Sequence, residues 1–166
     1  MARFTDKSII VTGAGSGIGR AAAILFAAEG GKVIVADVTD GAEATAQAIR
    51  EAGGVAEAIR MDAGSEADVE KAVALACDRH GGLDVMFANA GISGGMANIF
   101  DTSVDLITEV LRVNLIGPFL AVKHAAPRIA DARRALNFAL LGFGKMGKAF
   151  FGTLALSEPQ RREDAA

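Results

Sequence analysis

Apolar positions along the chain come in short runs set between longer amphipathic stretches. Residues 8–12, Ser-Ile-Ile-Val-Thr, form a β-branched run that ends in glycines, the pattern of a strand buried on both faces. Residues 17–29 then read as a helix, stopped by Gly30-Gly31. Residues 32–36 predict a second strand ending at Asp37, and residues 40–52 a helix stopped by Gly53-Gly54. Residues 55–60 predict a weaker strand. Ser65 stands at the expected N-cap of the next helix, with Asp68 three residues on as a partial capping box. That helix carries Val69, Val73, Leu75 and Cys77 and ends at Gly81-Gly82. Residues 83–88 predict a fourth strand. A glycine-containing loop leads to a helical stretch over about 103–133, which Pro118 and Pro127 should bend or divide. Residues 135–141 have the composition of a fifth strand, and 149–156 of a further helix.

Strands that alternate with helices predict an α/β fold. The expected form is a Rossmann-like, doubly wound parallel sheet, incomplete at four or five strands, with right-handed crossovers. The 166 residues are one domain's worth, and 51% hydrophobic content is enough for a core. With 22% charged residues, disorder and coiled coil are excluded. A net charge of −3 offers no basic field for nucleic acid. A single cysteine forms no internal disulfide and predicts the reducing cytoplasm. The longest apolar run, residues 21–28, is far short of the roughly 20 residues a membrane helix needs.

The chemistry concentrates after the first strand. Thr12-Gly13-Ala14-Gly15-Ser16-Gly17-Ile18-Gly19 lies between a strand and a helix. A diphosphate needs backbone N–H groups aimed at it and no side chains in the way. Glycines permit the tight turn, and the helix N-terminus adds partial positive charge. Asp37 ends the second strand, where a carboxylate can accept both hydroxyls of an adenosine ribose and repel a 2′-phosphate. That predicts NAD rather than NADP.

Thr-Gly-x-x-x-Gly-Ile-Gly resembles the signature of the short-chain dehydrogenase/reductase family, and three later segments agree. Asp62-Ala63 follows the third strand, where the resemblance implies contacts to adenine. Asn89-Ala90-Gly91 matches the family's Asn-Ala-Gly element, with Ala88 where another Asn is common. Asn114-Leu-Ile-Gly117-Pro-Phe119 matches its helical Asn-x-x-Gly-x-Phe. The likeness covers roughly residues 5–130. It implies NAD(H)-dependent hydride transfer between nicotinamide and an alcohol or carbonyl carbon. It makes Gly13, Ser16, Gly17, Ile18, Gly19, Asp37, Asp62, Ala63, Asn89, Ala90 and Gly91 cofactor-binding residues, and Asn114 a residual catalytic one. The residues alone also allow Asp62 as a strand-end cap, Asn89 as a sheet staple, and a structural role for Asn114.

Two features depart from the family. Its proton relay runs through Tyr-x-x-x-Lys, and this chain has no tyrosine. The positions four before Lys145 and Lys148 are Leu141 and Gly144, and no serine follows the long helix before Ser157. The family pattern also ends near residue 130, which predicts a changed frame, splice or fusion there. The expected organisation is a dinucleotide-binding domain over 1–130, a divergent strand–turn–helix over 131–156 that completes or covers the sheet edge, and a polar end over 157–166. Gly142-x-Gly144-x-x-Gly147 is itself a dinucleotide-type loop, but only 19 residues follow it, too few for a second strand bearing an acid. The function expected is thus an NAD-dependent oxidoreductase by family that keeps the cofactor half of its site. The alternatives are a non-enzymatic NAD-binding or partner-binding module and an inactive truncated product. Expected partners are the dinucleotide, a small alcohol or ketone, and copies of the chain, as homo-oligomer or through an exposed sheet edge. His80 and His124 are distant in sequence and no cysteine pair exists, so no metal site is expected.

Overall fold

The computed structural model describes residues 2–95, 98–131 and 137–140. Five strands, β1 (Ser8–Thr12), β2 (Lys32–Asp37), β3 (Val55–Arg60), β4 (Val85–Ala88) and β5 (Asn137–Leu140), form one sheet in the order β3-β2-β1-β4-β5. Every pairing is parallel. The helices are α1 (Gly17–Ala28), α2 (Gly41–Glu51), α3 (Glu66–His80), α4 (Val104–Leu111) and α5 (Gly117–Asp131). The predicted fifth strand is present at 137–140, while the glycine loop at 142–147 and the helix and polar end beyond it lie outside the described residues.

The central strands are apolar at nearly every position because each face meets helices. Ile10 and Ile34 point to one side, onto Val69, Val73 and Ala76 of α3 and Leu120, Ala125 and Ile129 of α5. Ile9, Val11, Val33 and Val35 point to the other, onto Ala23 and Ala27 of α1 and Ala42, Ala46 and Ile49 of α2. Alanines at the helix contacts bring the backbones close to the sheet. Two packed layers around a parallel sheet are the doubly wound fold that the strand–helix alternation predicts.

The chain runs outward from β1 through β2 to β3, then returns to pair β4 on the free side of β1. The reversal leaves a crevice beyond the carboxyl ends of β1 and β4, where open α/β sheets bind ligands.

The structure departs from the sequence reading at two places, the start of the fourth strand and the Ser65 cap, and it shows the form of the expected division in the long helical stretch. The fourth strand begins at Val85 rather than at 83. Asp84 is buried, and its carboxylate accepts the Ser8 N–H at 2.9 Å in place of a ladder carbonyl. Ser65 occupies the N-cap of α3 but its side chain makes no capping bond. Asp68 instead accepts the Asp62 N–H at 3.2 Å, tying the helix to the loop before it. The long helical stretch divides at a π-helical turn over Arg112–Ile116, just ahead of Pro118. Proline has no N–H for the carbonyl four residues back, and a wider turn absorbs the fault. Pro127 lies inside α5 without ending it.

Ile10 is fully buried in the central strand. Ile10→Ala is expected to cost about 2–5 kcal/mol, read as a lower denaturant midpoint at unchanged slope in urea unfolding. A loss below about 0.5 kcal/mol would contradict this placement of the core.

Candidate functional site

The crevice is a cleft of about 710 Å³. Gly13, Ser16, Gly17, Ile18, Gly19, Asp37, Asp62, Ala63, Asn89, Ala90 and Gly91 all line it. It gathers residues from the ends of four strands and the first turn of α1.

Its floor is a close approach of backbone to backbone. Gly13 follows β1 at φ 65°, a conformation that L side chains rarely adopt, and a Cβ there would lie 2.8 Å from Cα of Ala90. A Cβ on Gly19 would collide with the Gly13 carbonyl oxygen. Only glycine lets α1 start directly against the strand end. Ser16 is the extended N-cap of α1, with no side-chain capping bond and no acid in the first turn. The helices α2 and α3, by contrast, carry Glu43 and the pair Glu66 and Asp68 in theirs. The positive end of α1 therefore stays uncompensated by side chains where it meets the cleft.

Thr12 and Asn89 hold the two strand ends together. The Thr12 hydroxyl accepts the N–H groups of Asn89 and Ala90, each at 3.0 Å. The Asn89 side-chain amide donates to the Thr12 carbonyl at 3.0 Å and to that of Gly13 at 3.4 Å. Thr12 stood in the motif but not among the expected site residues. Its polar side chain closing an otherwise aliphatic strand was the available signal.

Asp37 forms one wall. Its Oδ2 accepts the Gly15 N–H at 2.8 Å, and its Oδ1 accepts the Thr39 N–H at 2.9 Å and the Thr39 hydroxyl at 2.7 Å. Partial burial pushes its pKa up, but the bonds from Thr39, Gly15 and the Val38 N–H outweigh burial and hold the carboxyl below the usual range.

Asp62 lies in the same cleft. Its Oδ1 accepts the Gly64 N–H at 2.8 Å, and its Oδ2 lies 2.8 Å from Arg112 Nη2. Burial again pushes its pKa up and is outweighed by Arg112 and the Gly64 N–H, leaving it lowered. Arg112 is itself gripped by Glu109, which accepts from Nε and Nη2 at 2.7 Å each. The two acids, Glu109 first, push the guanidinium pKa further up. Sequence reasoning missed both Arg112 and Glu109.

Asn114 does not line the cleft. Its Oδ1 accepts the Ile92 N–H and its Nδ2 donates to the Ile92 carbonyl, both at 2.8 Å, from within the π-helical turn. This pins the loop after β4, whose Ile92 does line the cleft. A fold-based grouping also escaped the spacing argument against metals: Glu66, Glu70 and His124 meet between α3 and α5. Lys123 already pairs with Glu66 at 2.5 Å and His124 with Glu66 at 2.9 Å, so an ion-pair cluster accounts for the contact.

A family model described as short chain dehydrogenase matches residues 7–136. The chain belongs to the short chain dehydrogenase family. Among its relatives, momilactone A synthase of Oryza sativa subsp. japonica is 42% identical over 134 residues, covering 80% of this chain and 48% of that protein. Short chain aldehyde dehydrogenase 1 of Euphorbia lathyris is 41% identical over 127 residues, covering 75% and 43%. A short chain dehydrogenase from Mycobacterium avium superposes with a TM-score of 0.76 at 34% identity, covering 83% of this chain and 52% of that one. Levodione reductase superposes at 0.75 and 34%, covering 80% and 52%. The chain spans about half the length of the relatives it matches. Among the described residues no helix is long and apolar enough to cross a membrane.

Because the Asp37 pKa is lowered on folding, its contribution to stability is full above the ordinary carboxylate range and is lost as pH falls through it. The thermal midpoint gap between the protein and Asp37→Ala is therefore expected to be constant from pH 6 to 8. It should narrow below about pH 4. A gap unchanged down to about pH 3 would contradict the three hydrogen bonds assigned to this side chain.

Proposed function

We propose that this chain binds NAD(H) as the cofactor half of an oxidoreductase that acts on an alcohol or carbonyl compound. The observation that carries this reading is the cleft at the topological reversal. Its floor is bare glycine backbone and an uncompensated helix N-terminus, and its wall is the Asp37 carboxylate. Those features fit a nicotinamide dinucleotide. The first-turn amides of α1 and the glycine loop would hold the diphosphate. Asp37 would accept a ribose hydroxyl, and its charge disfavours a phosphate ester at the 2′ position. Asn89 and Thr12 keep the floor in place, and Asn114 holds the loop that bears Ile92. The dinucleotide, when bound, supplies the ring that donates or accepts hydride.

The proton half of the reaction has no tyrosine to carry it in this sequence. General acid–base help of that kind is worth about 10²–10⁴ in rate. That observation favours a second reading, a non-enzymatic NAD-binding module. A single cysteine is the support for the cytoplasm as its compartment.

Since the chain contains neither Trp nor Tyr, NADH emission can be followed without protein background. NADH is expected to titrate saturably and more tightly than NADPH. Asp37→Ala should weaken NADH by about tenfold, the worth of a charged hydrogen bond, and narrow the gap to NADPH. No turnover is expected on a panel of secondary alcohols and ketones. No saturable NADH signal would overturn the cofactor reading, and turnover would overturn the loss of proton transfer.

A further inference from the structure

Ser8 opens the central strand at the end of the sheet away from the cleft, and the link that joins α3 to β4 binds it at three atoms. Its N–H donates to Asp84 Oδ2 and its carbonyl accepts the Asp84 N–H, both at 2.9 Å. Its hydroxyl lies 3.0 Å from Nδ1 of His80, the last residue of α3. Between His80 and Asp84 the chain turns through Gly81 and Gly82, both at positive φ, and buries Leu83 completely. His80 and Asp84 therefore hold one serine from the two sides of a glycine hinge.

The imidazole is the weak member of this arrangement. His80 Nε2 is buried and has no hydrogen-bond partner among the described residues. A neutral ring has one donor nitrogen and one acceptor. Whichever way the Ser8 bond runs, Nε2 is left with a bond unmade. Protonation turns both nitrogens into donors and adds a positive charge, which costs far more to bury than a neutral ring. The charged neighbours are divided. Glu57 on β3 attracts that charge, but Arg79 of α3 already holds Glu57 at 3.2 Å. Lys32 on β2, paired with Asp6 at 3.2 Å, repels it. Asp84 at the head of β4 is bound by Lys7 of the segment before β1 at 3.1 Å. The negative end of α3 favours the charge.

We propose that the Ser8–His80 contact is a pH-sensitive clasp: the neutral imidazole holds the last turn of α3 against the start of β1, and the protonated one releases that turn to fray at the Gly81-Gly82 hinge. Burial, aided by Lys32, outweighs Glu57 and sets the His80 pKa below its ordinary value. A histidine pKa lowered on folding leaves stability intact above the ordinary histidine range. Stability is then lost as pH falls through that range. Release solvates the ring and lets water satisfy Nε2. Asp84 keeps its bonds to the Ser8 backbone, so the opening is confined to the helix end. The clasp is independent of the cofactor reading.

The sequence has two histidines, His80 and His124. NMR of the full chain can therefore follow both imidazoles from pH 8 to 5, with His124→Gln to assign them. That window lies above the ordinary carboxylate range. His80 is expected to titrate at lower pH in the folded chain than in the chain unfolded in urea. Hydrogen exchange reads the opening at the Gly81 N–H, which donates to the Cys77 carbonyl at 2.9 Å. Its protection should fall by about threefold or more between pH 7 and 5. The fall should persist in His124→Gln and vanish in His80→Gln, which cannot protonate. Ser8→Ala should lower the protection by about fivefold already at pH 7, the worth of one hydrogen bond. No fall in the unaltered protein, or an equal fall in His80→Gln, overturns the proposal. So does a His80 midpoint at or above that of the unfolded chain, and this measurement decides alone if His80→Gln does not fold.

Discussion

The contact between Gly19 and the carbonyl of Gly13 is the constraint on which the site depends. It sets how closely the first turn of α1 approaches the end of β1, and no side chain can be added at Gly19 without separating them. That distance fixes where the helix's free amides point. It also brings Asn89 within reach of the carbonyls of Thr12 and Gly13, so β4 is held in register by the turn that forms the cleft floor. Position and chemistry come from one steric fact.

Charge in the cleft is arranged around that floor. Asp37, Asp62 and Glu109 are acids, and Arg112 is the cation among the lining residues. A site for a diphosphate would be compromised by three free carboxylates. Asp37 is instead surrounded by the N–H groups of Gly15 and Thr39 and the Thr39 hydroxyl, while Asp62 and Glu109 share a guanidinium. Each negative charge is locally countered and also oriented. Charge compensation and side-chain orientation are supplied by the same contacts.

Features coded by local order were legible before the structure. The β-branched runs of β1 and β2 gave nearly correct strands because burial on both faces leaves little choice of residue. The glycine loop, Asp37 and the Asn89 segment were readable because turn geometry demands specific residue types at fixed spacing. What depended on distant pairing was not. Arg112 was an ordinary helix residue until the fold brought it to Asp62. Glu66 and His124 met only because α3 packs on α5. Asp68 had the spacing of a capping box, but the Asp62 N–H drew its carboxylate away from the helix end. The division at 112–116 was expected from Pro118, yet its form was not, since a missing donor can be absorbed by a kink, a break or a widened turn.

The central place of β1 has a kinetic consequence. It pairs with β2 after one short crossover, but the bonds that join it to the β4 segment span 76 and 77 residues. Closing a loop roughly three times longer costs about 1 kcal/mol more in chain entropy, and non-local strand pairing is slow for that reason. The β1–α1–β2 unit therefore has the advantage in order of assembly, with one flank of its glycine turn still bare. Docking of Asn89 comes late, so a chain interrupted during synthesis or folding would display the turn without the cleft.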